Sequence, residues 1–358
     1  MNLLSTKKKG ASVAAFILIA ALAAIGVNGA AASHTASVQV CALLPDTTTS
    51  VRYLLFDAPD LTKAFKNAGV TSSVLNAQGS TTTQISQGEQ CITNGAKVIL
   101  VDALDSGTGA TIEANAAKAG VKTIDYDRLV LKGSASYYVS FNNVTVGMLQ
   151  GKGLVAAMKA NGTYASHGVV AELNGAPTDN NATLFAQGYN SVLDPLYKSG
   201  QLTKGPNQSV TNWNNQVALT DFQGMLAKTG NKIDAVLAAN DGIAGSVVSA
   251  LKSAKLNPLP LTGQDATPGG AQYILAGWQS GTVYKPVPQE ANAAAAVAID
   301  VVKGIKVPVN GKTNNGVRQV PSVLLTPTWV TKKNISILFT SGFLKKSQVC
   351  VGEYKQYC

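Results

Sequence analysis

The stretch Ala-Lys-Ala-Gly-Val-Lys-Thr-Ile-Asp-Tyr-Asp-Arg-Leu-Val, residues 117–130, holds the repeating unit of this chain in miniature. A helix signal over 111–119 runs into Gly120, a residue that accepts the left-handed backbone on which helices commonly end. The apolar run 121–124 then reads as a short buried strand. Just past it stand Asp127 and Arg128. Ligands of open α/β sheets bind in the crevice beyond the carboxyl ends of the strands, so a charged pair at this point marks a pocket.

The same order of signals recurs. Polar clusters follow apolar runs at Asp179-Asn180-Asn181 after GVVAEL, Trp213 after QSV, Asn240-Asp241 after DAVLAA and Gln264-Asp265 after PLPL. Strand signals at 38–44, 70–75, 97–101, 121–124 and 137–141 alternate with helix signals at 61–68, 84–94 and 111–119. A second series has helices at 144–160, 181–193, 215–229 and 243–254 between strands at 168–173, 207–212, 233–238 and 258–261. Residues 266–278, 282–286 and 287–304 add helix, strand and helix. The expected fold class is therefore α/β, with two doubly wound parallel-sheet lobes joined by a multi-strand hinge. The expected division is a leader over 1–32, a first lobe over 37–142 plus 286–320, a second lobe over 143–285 plus 321–345, and a tail over 346–358. Residues 306–321 are rich in Gly, Asn and Pro and read as a surface loop.

The N-terminus carries an export signal: Lys7-Lys8-Lys9, an apolar core over 11–27, and small residues ending at Ala32 or Ala36. Retention as an anchor is the alternative, since the apolar core is about long enough to span a bilayer. The expected location is the periplasm or cell envelope. An exported chain meets oxidising conditions, and its four cysteines admit three pairings. Cys350 and Cys358 are close enough in sequence to clip the tail. Cys41 and Cys91 would meet in a 2-1-3 strand order, although two free buried thiols fit equally well.

Net charge is +10, and subtracting the three leader lysines leaves +7. The basic residues are dispersed rather than gathered into a patch, which argues against nucleic acid as a partner. No Cys/His spacing suits a metal, no G-x-x-x-x-G-K-[ST] is present, and no G-x-G-x-x-G opens the first helix. Neither a metal nor a cofactor is expected. The clusters suit a carbohydrate instead. Sugar hydroxyls donate and accept, so a site needs Asp and Asn for both roles and Arg or Lys as fixed donors. The weakly apolar C–H faces of the ring need a flat aromatic wall.

The segments DYDR (125–128), GAPTDNNATLFAQG (175–188), AAND (238–241), GQDA (263–266) and VYKP (283–286) resemble the periplasmic xylose-binding proteins of ABC importers, from about residue 38 to 345. The resemblance implies a type I periplasmic binding protein fold and a ligand set placed residue by residue. Arg52-Tyr53 stands where the family has Arg-Trp, which makes Tyr53 one face of an aromatic sandwich and Trp213 the other. Asp127 and Arg128 match the DYDR pair, Asp179 and Asn181 the DNNA motif, and Asn240, Asp265 and Lys285 the remaining positions. Tyr in place of Trp at 53 offers less stacking area and adds a hydroxyl, which leaves the preferred sugar undecided.

The implied function is capture of an aldose monosaccharide between two lobes and delivery to the membrane permease of an ABC importer, by a monomer. A sugar-sensing receptor for chemotaxis or signalling has the same fold and stays open. The enzymatic alternative is a glycosidase using Asp179 and Asp265. Adjacent Arg and Lys should keep both carboxylates ionised and leave no proton donor, so no enzyme is expected. Helix capping alone accounts for Asp241, so Asn240 receives the ligand role.

Overall fold

The computed structural model describes residues 38–358; the leader, its alternative ends at Ala32 and Ala36, and His34 lie outside the described residues. The first series of elements is β1 (Val40–Leu44), α1 (Ala58–Asn67), β2 (Ser72–Asn76), α2 (Thr81–Thr93), β3 (Val98–Val101), α3 (Ser106–Lys118), β4 (Lys122–Tyr126) and β5 (Tyr137–Phe141). The second is α4 (Asn143–Asn161), β6 (Val169–Asn174), α5 (Asn180–Lys198), β7 (Thr203–Ser209), α6 (Asn215–Thr229), β8 (Ala235–Ala238), α7 (Asp241–Ser253), α8 (Pro268–Ala276) and β9 (Thr282–Tyr284). The chain ends with α9 (Val287–Lys303), β10 (Gly311–Asn314), β11 (Gln319–Leu325), β12 (Thr328–Val330) and a short helical tail.

One sheet has seven strands in the order β10-β11-β5-β4-β3-β1-β2, parallel except for β10. Strand β1, paired on both sides by β2 and β3 and covered on both faces, explains why a continuous apolar run was needed there. Val40, Ala42 and Leu44 join Leu61 and Phe65 of α1 and the alanines of α9 on one face. Cys41 and Leu43 meet Ile112 and Ala116 of α3 on the other. Successive side chains of a strand point to opposite faces, so a strand covered on both sides must be apolar throughout. Cys41 is disulfide-bonded to Cys91 of α2, and Cys350 to Cys358 in the tail.

The second sheet has the parallel order β7-β6-β8, extended by single bridges at Leu261 and Gln264 and flanked by the antiparallel pair β9–β12. Helices α4 and α5 cross it closely. A Cβ at Gly147 would overlap the backbone of Phe185, and one at Gly188 that of Val144, so glycine sets this approach. No helix among the described residues is long and apolar enough to cross a membrane.

Three segments pass between the sheets: Asn142, then Lys285 with Pro286, then Thr326 with Pro327. Two expectations change here. Residues 306–321 are not a plain loop, because β10 and β11 pair as a hairpin and β11 continues parallel to β5. The Gly and Asn content reports the turn of that hairpin, while the buried Val320 and Ser322 report its strand. Strand β11 stays in the first sheet to Leu325. The strand expected at 258–261 shrinks to the bridge at Leu261.

Candidate functional site

The polar clusters read from the sequence sit at strand ends, and the fold turns them toward one another. Arg52 and Tyr53 start a wide turn in which Ala58 N–H donates to the Tyr53 carbonyl, just before α1. Such π-type turns recur at functional sites because the extra residue redirects side chains. Asp127, at φ 57°, and Arg128 follow β4. Asp179 caps α5 by accepting the Asn181 N–H, 2.8 Å away. Asn240 caps α7 by accepting from Ile243 N at 2.9 Å. Capping thus belongs to Asn240, not Asp241. Asp241 is instead buried as an acceptor for Gln279, Thr282 and Thr267. Asp265, at φ 93°, follows the Gln264 bridge, and Lys285 lies where the chain leaves β9.

All ten expected residues line a single cavity between the sheets, and all ten are buried. Thr49, Ser50, Phe185 and Gln264 complete the lining. The volume left between these side chains is about 30 Å³, below the usual range of ligand sites. Phe185 and Gln264 stood within the motifs quoted above, as the aromatic of DNNATLF and the amide of GQDA. Thr49 and Ser50 carried no signal, since a Thr/Ser run before a helix reads as a loop.

One wall is aromatic. Trp213 follows Asn212, and both take left-handed backbone, a strain on the order of 1 kcal/mol or more per bulky residue that packing must hold. The indole N–H donates to Asp179 Oδ2 at 3.1 Å, and the ring meets Phe185 edge-on at 6.4 Å. A Cβ at Gly175 would collide with the indole, so glycine makes room for it. Tyr53 stands opposite in sequence origin, its ring attended by the guanidinium carbons of Arg52 and Arg128 at 5.4 and 5.8 Å.

The charges form a layered network. Arg52 gives Nε and Nη2 to Asp57, Nη1 to Asp127 at 2.9 Å and Nη2 also to Glu290 at 2.8 Å. Four of its five N–H bonds are therefore committed, which makes Arg52 mainly a scaffold for Asp127. Arg128 donates to the Ala103 carbonyl and the Tyr53 hydroxyl, and its Nε faces Asp179 at 3.1 Å and Asp102 at 3.5 Å. One N–H on each of its two terminal nitrogens stays free for the cavity. Lys285 lies 3.2 Å from Asp265 and 3.6 Å from Asp127. Asn181 accepts from Asn143 and donates to the Asp127 carbonyl at 3.0 Å, a bond that links the two lobes.

Burial opposes ionisation of Asp127, but Arg52, Lys285 and Arg128 outweigh it and hold the carboxylate well below its usual range. Lys285 is buried too, and Asp127 and Asp265 raise it above the usual lysine value. Asp179 departs from the expectation that its cation would keep it low: burial raises it despite Arg128. Its oxygens are nonetheless committed to the Asn181 amide, the Trp213 indole and Arg128, so no O–H is aimed into the cavity. Gln264 donates to the Ala239 carbonyl, and its buried Oε1 has no hydrogen-bond partner. The cavity thus offers donors from Arg128, Lys285 and Asn240 and acceptors from Asp127, Asp265 and Gln264. Among the described residues no cluster of His, Cys, Asp and Glu could hold a metal.

Residues 42–306 match the model of the periplasmic binding protein domain. The chain is 36% identical to the D-xylose-binding periplasmic protein of Haemophilus influenzae, over 79% of this chain and 84% of that protein. It is 32% identical to the multiple sugar-binding periplasmic receptor ChvE of Rhizobium radiobacter, over 93% of this chain and 99% of the receptor. Among solved structures, an ABC transporter solute binding protein from Clostridium phytofermentans with bound β-D-glucose superposes with a TM-score of 0.81 at 30% identity, covering 87% of this chain and 99% of that one.

Proposed function

Because the chain belongs to the periplasmic binding protein family, on the branch of the D-xylose-binding proteins, we propose that it captures one aldose monosaccharide between its lobes and presents it to an ABC importer. The observation that carries this reading is the composition of one buried cavity: donors and acceptors in comparable number, three aromatic rings, and contributions from both lobes. A neutral polyol satisfies such a lining, because each hydroxyl can accept from Arg128 or Lys285 and donate to a carboxylate. A sugar lacking or inverting one hydroxyl would leave a buried group unpaired and be rejected.

Hinge closure is the mechanism. Arg128–Asp179, Asn181–Asp127 and the 3.4 Å approach of the Ser50 hydroxyl to Asp265 all join first-lobe to second-lobe groups. Sugar that touches both sides favours the state in which these contacts form, and a membrane permease can recognise that state. In this reading the protein is a monomer of the periplasm or cell envelope, takes no nucleic acid and catalyses no reaction. Its likeness to a sugar-binding receptor favours sensing as the second reading.

A thermal-shift panel of aldopentoses and aldohexoses tests the proposal, since a ligand bound only by the folded state raises the melting temperature. D-xylose, D-glucose, D-galactose or L-arabinose should give a clear shift. Melting curves unchanged by every monosaccharide would remove its main support. Loss of sugar uptake on deleting the gene separates transport from sensing.

A further inference from the structure

Behind the cavity, outside its lining, two acids share one buried position. Glu113 of α3 and Asp125 of β4 are neighbours inaccessible to solvent, and one oxygen of each, Glu113 Oε1 and Asp125 Oδ1, has no hydrogen-bond donor. Two neighbouring carboxyl groups left in this state can satisfy each other only when one of them carries a proton. The oxygens not facing each other hold backbone amides of one loop. Asp125 Oδ2 accepts Val130 N–H at 3.0 Å, while Glu113 Oε2 accepts the N–H groups of Ser134 and Ala135, the latter at 2.7 Å. A Cβ at Gly133 would run into the Glu113 carboxyl, so glycine permits this close seat. The loop so fastened begins with Asp127 and Arg128.

On this geometry, and resting on the sugar-binding reading above, we propose that the proton-sharing pair Glu113–Asp125 is the positioning device for Asp127 and Arg128. With one proton, the pair chelates three amides and sets the loop. Without it, two adjacent buried carboxylates repel, and the loop that carries the sugar-gripping charges loosens. Burial raises both acids above the ordinary carboxyl range, Asp125 the further of the two because the Glu113 charge adds to it. The neighbouring charge that opposes this is the exposed guanidinium of Arg318 on the β10–β11 turn. Tyr138, the β5 register partner of Asp125, is itself buried and held neutral. Lys132 in the loop points to solvent.

The test compares wild type with Asp125→Asn, whose amide can donate to an ionised Glu113 and has no proton to lose in this range. Kd for D-xylose and D-glucose is measured from about pH 5 to about pH 9, together with hydrogen-exchange protection of the Val130, Ser134 and Ala135 amides in the sugar-free protein. One unit of difference in the pair's pKa between free and bound states is about a tenfold change in Kd, so wild-type binding should weaken by roughly that factor as pH rises. The variant should hold the affinity that wild type shows at low pH, and only wild type should lose amide protection. Parallel Kd profiles, or protection equally flat in both proteins, overturn the proposal. If neither sugar binds wild type, the sugar reading fails and the protection data alone decide the pair. Should Asp125→Asn not fold, Glu113→Gln carries the same comparison.

Discussion

At the scale of single residues, the cavity shows how much a side chain's role depends on which of its bonds are already taken. Arg52 and Arg128 look alike in sequence, each beside an acid or aromatic partner. Arg52 is bound by three carboxylates and Arg128 keeps two free N–H groups. The same accounting leaves Gln264, a lining residue, with an unpartnered Oε1. Trp213 is the most exposed to small disturbances, because its strained backbone is tolerated only while the indole has its place over Gly175. Gly175→Ala should therefore displace the indole, lengthen its bond to Asp179 and weaken sugar binding by on the order of 10-fold or more, with the fold retained. Tryptophan fluorescence with titration calorimetry checks this; unchanged affinity would show that the ring is not a ligand wall. Trp213→Ala removes the wall outright and should weaken the same sugar at least as much.

At the scale of elements, β1 and α2 are joined by a covalent link as well as by packing. The Cys41–Cys91 bond closes 50 residues of chain. Constraining a loop of that size in the unfolded state stabilises the fold by about 4 kcal/mol on the chain-entropy model. The Cys41→Ala/Cys91→Ala protein should accordingly lose roughly 2–4 kcal/mol in urea unfolding while still binding sugar, because neither sulfur lines the cavity. The β10–β11 hairpin makes a contrasting case. Its Gly- and Asn-rich turn looked like a loop because turn residues dominate a short hairpin, and its strands have only four and seven residues. Which sheet it joins is a long-range fact: Asn315 anchors it by donating to the Gly133 carbonyl, 182 positions away.

For the whole molecule, buried charge governs the response to pH. Asp102 has no hydrogen-bond donor and faces Arg128 at 3.5 Å, and burial raises it well above the usual range. Burial also raises Glu290, and it pushes Asp241 up to about 7. A carboxyl whose folded pKa exceeds its unfolded value binds more protons when folded. The stability it contributes is complete below about pH 4 and is lost as pH climbs through the folded value. Asp127 works the other way, since its depressed pKa contributes stability above about pH 4 that disappears only in strong acid. The raised groups outnumber it, so the urea midpoint should decline from about pH 5 to about pH 8, the Asp241 part being spent near 7. A midpoint that rises over that interval would mean these acids are ionised in the folded state.

Much of this was legible without coordinates. Apolar runs bounded by Gly and polar clusters mark strand ends by local chemistry, so the alternation of strands and helices, and the seats of Asp127, Asp179, Trp213, Asn240 and Asp265, follow from neighbours within a few residues. The motif resemblance added Arg52, Tyr53 and Lys285 to them. What local chemistry does not encode is who meets whom across long separations. That Arg52 would be spent on Asp57, Asp127 and Glu290, that Asn240 rather than Asp241 would cap α7, and that Glu113 would find Asp125 behind the cavity were decided by the packing of two sheets. Burial removes water as the alternative partner, and only then does each donor and acceptor have to choose.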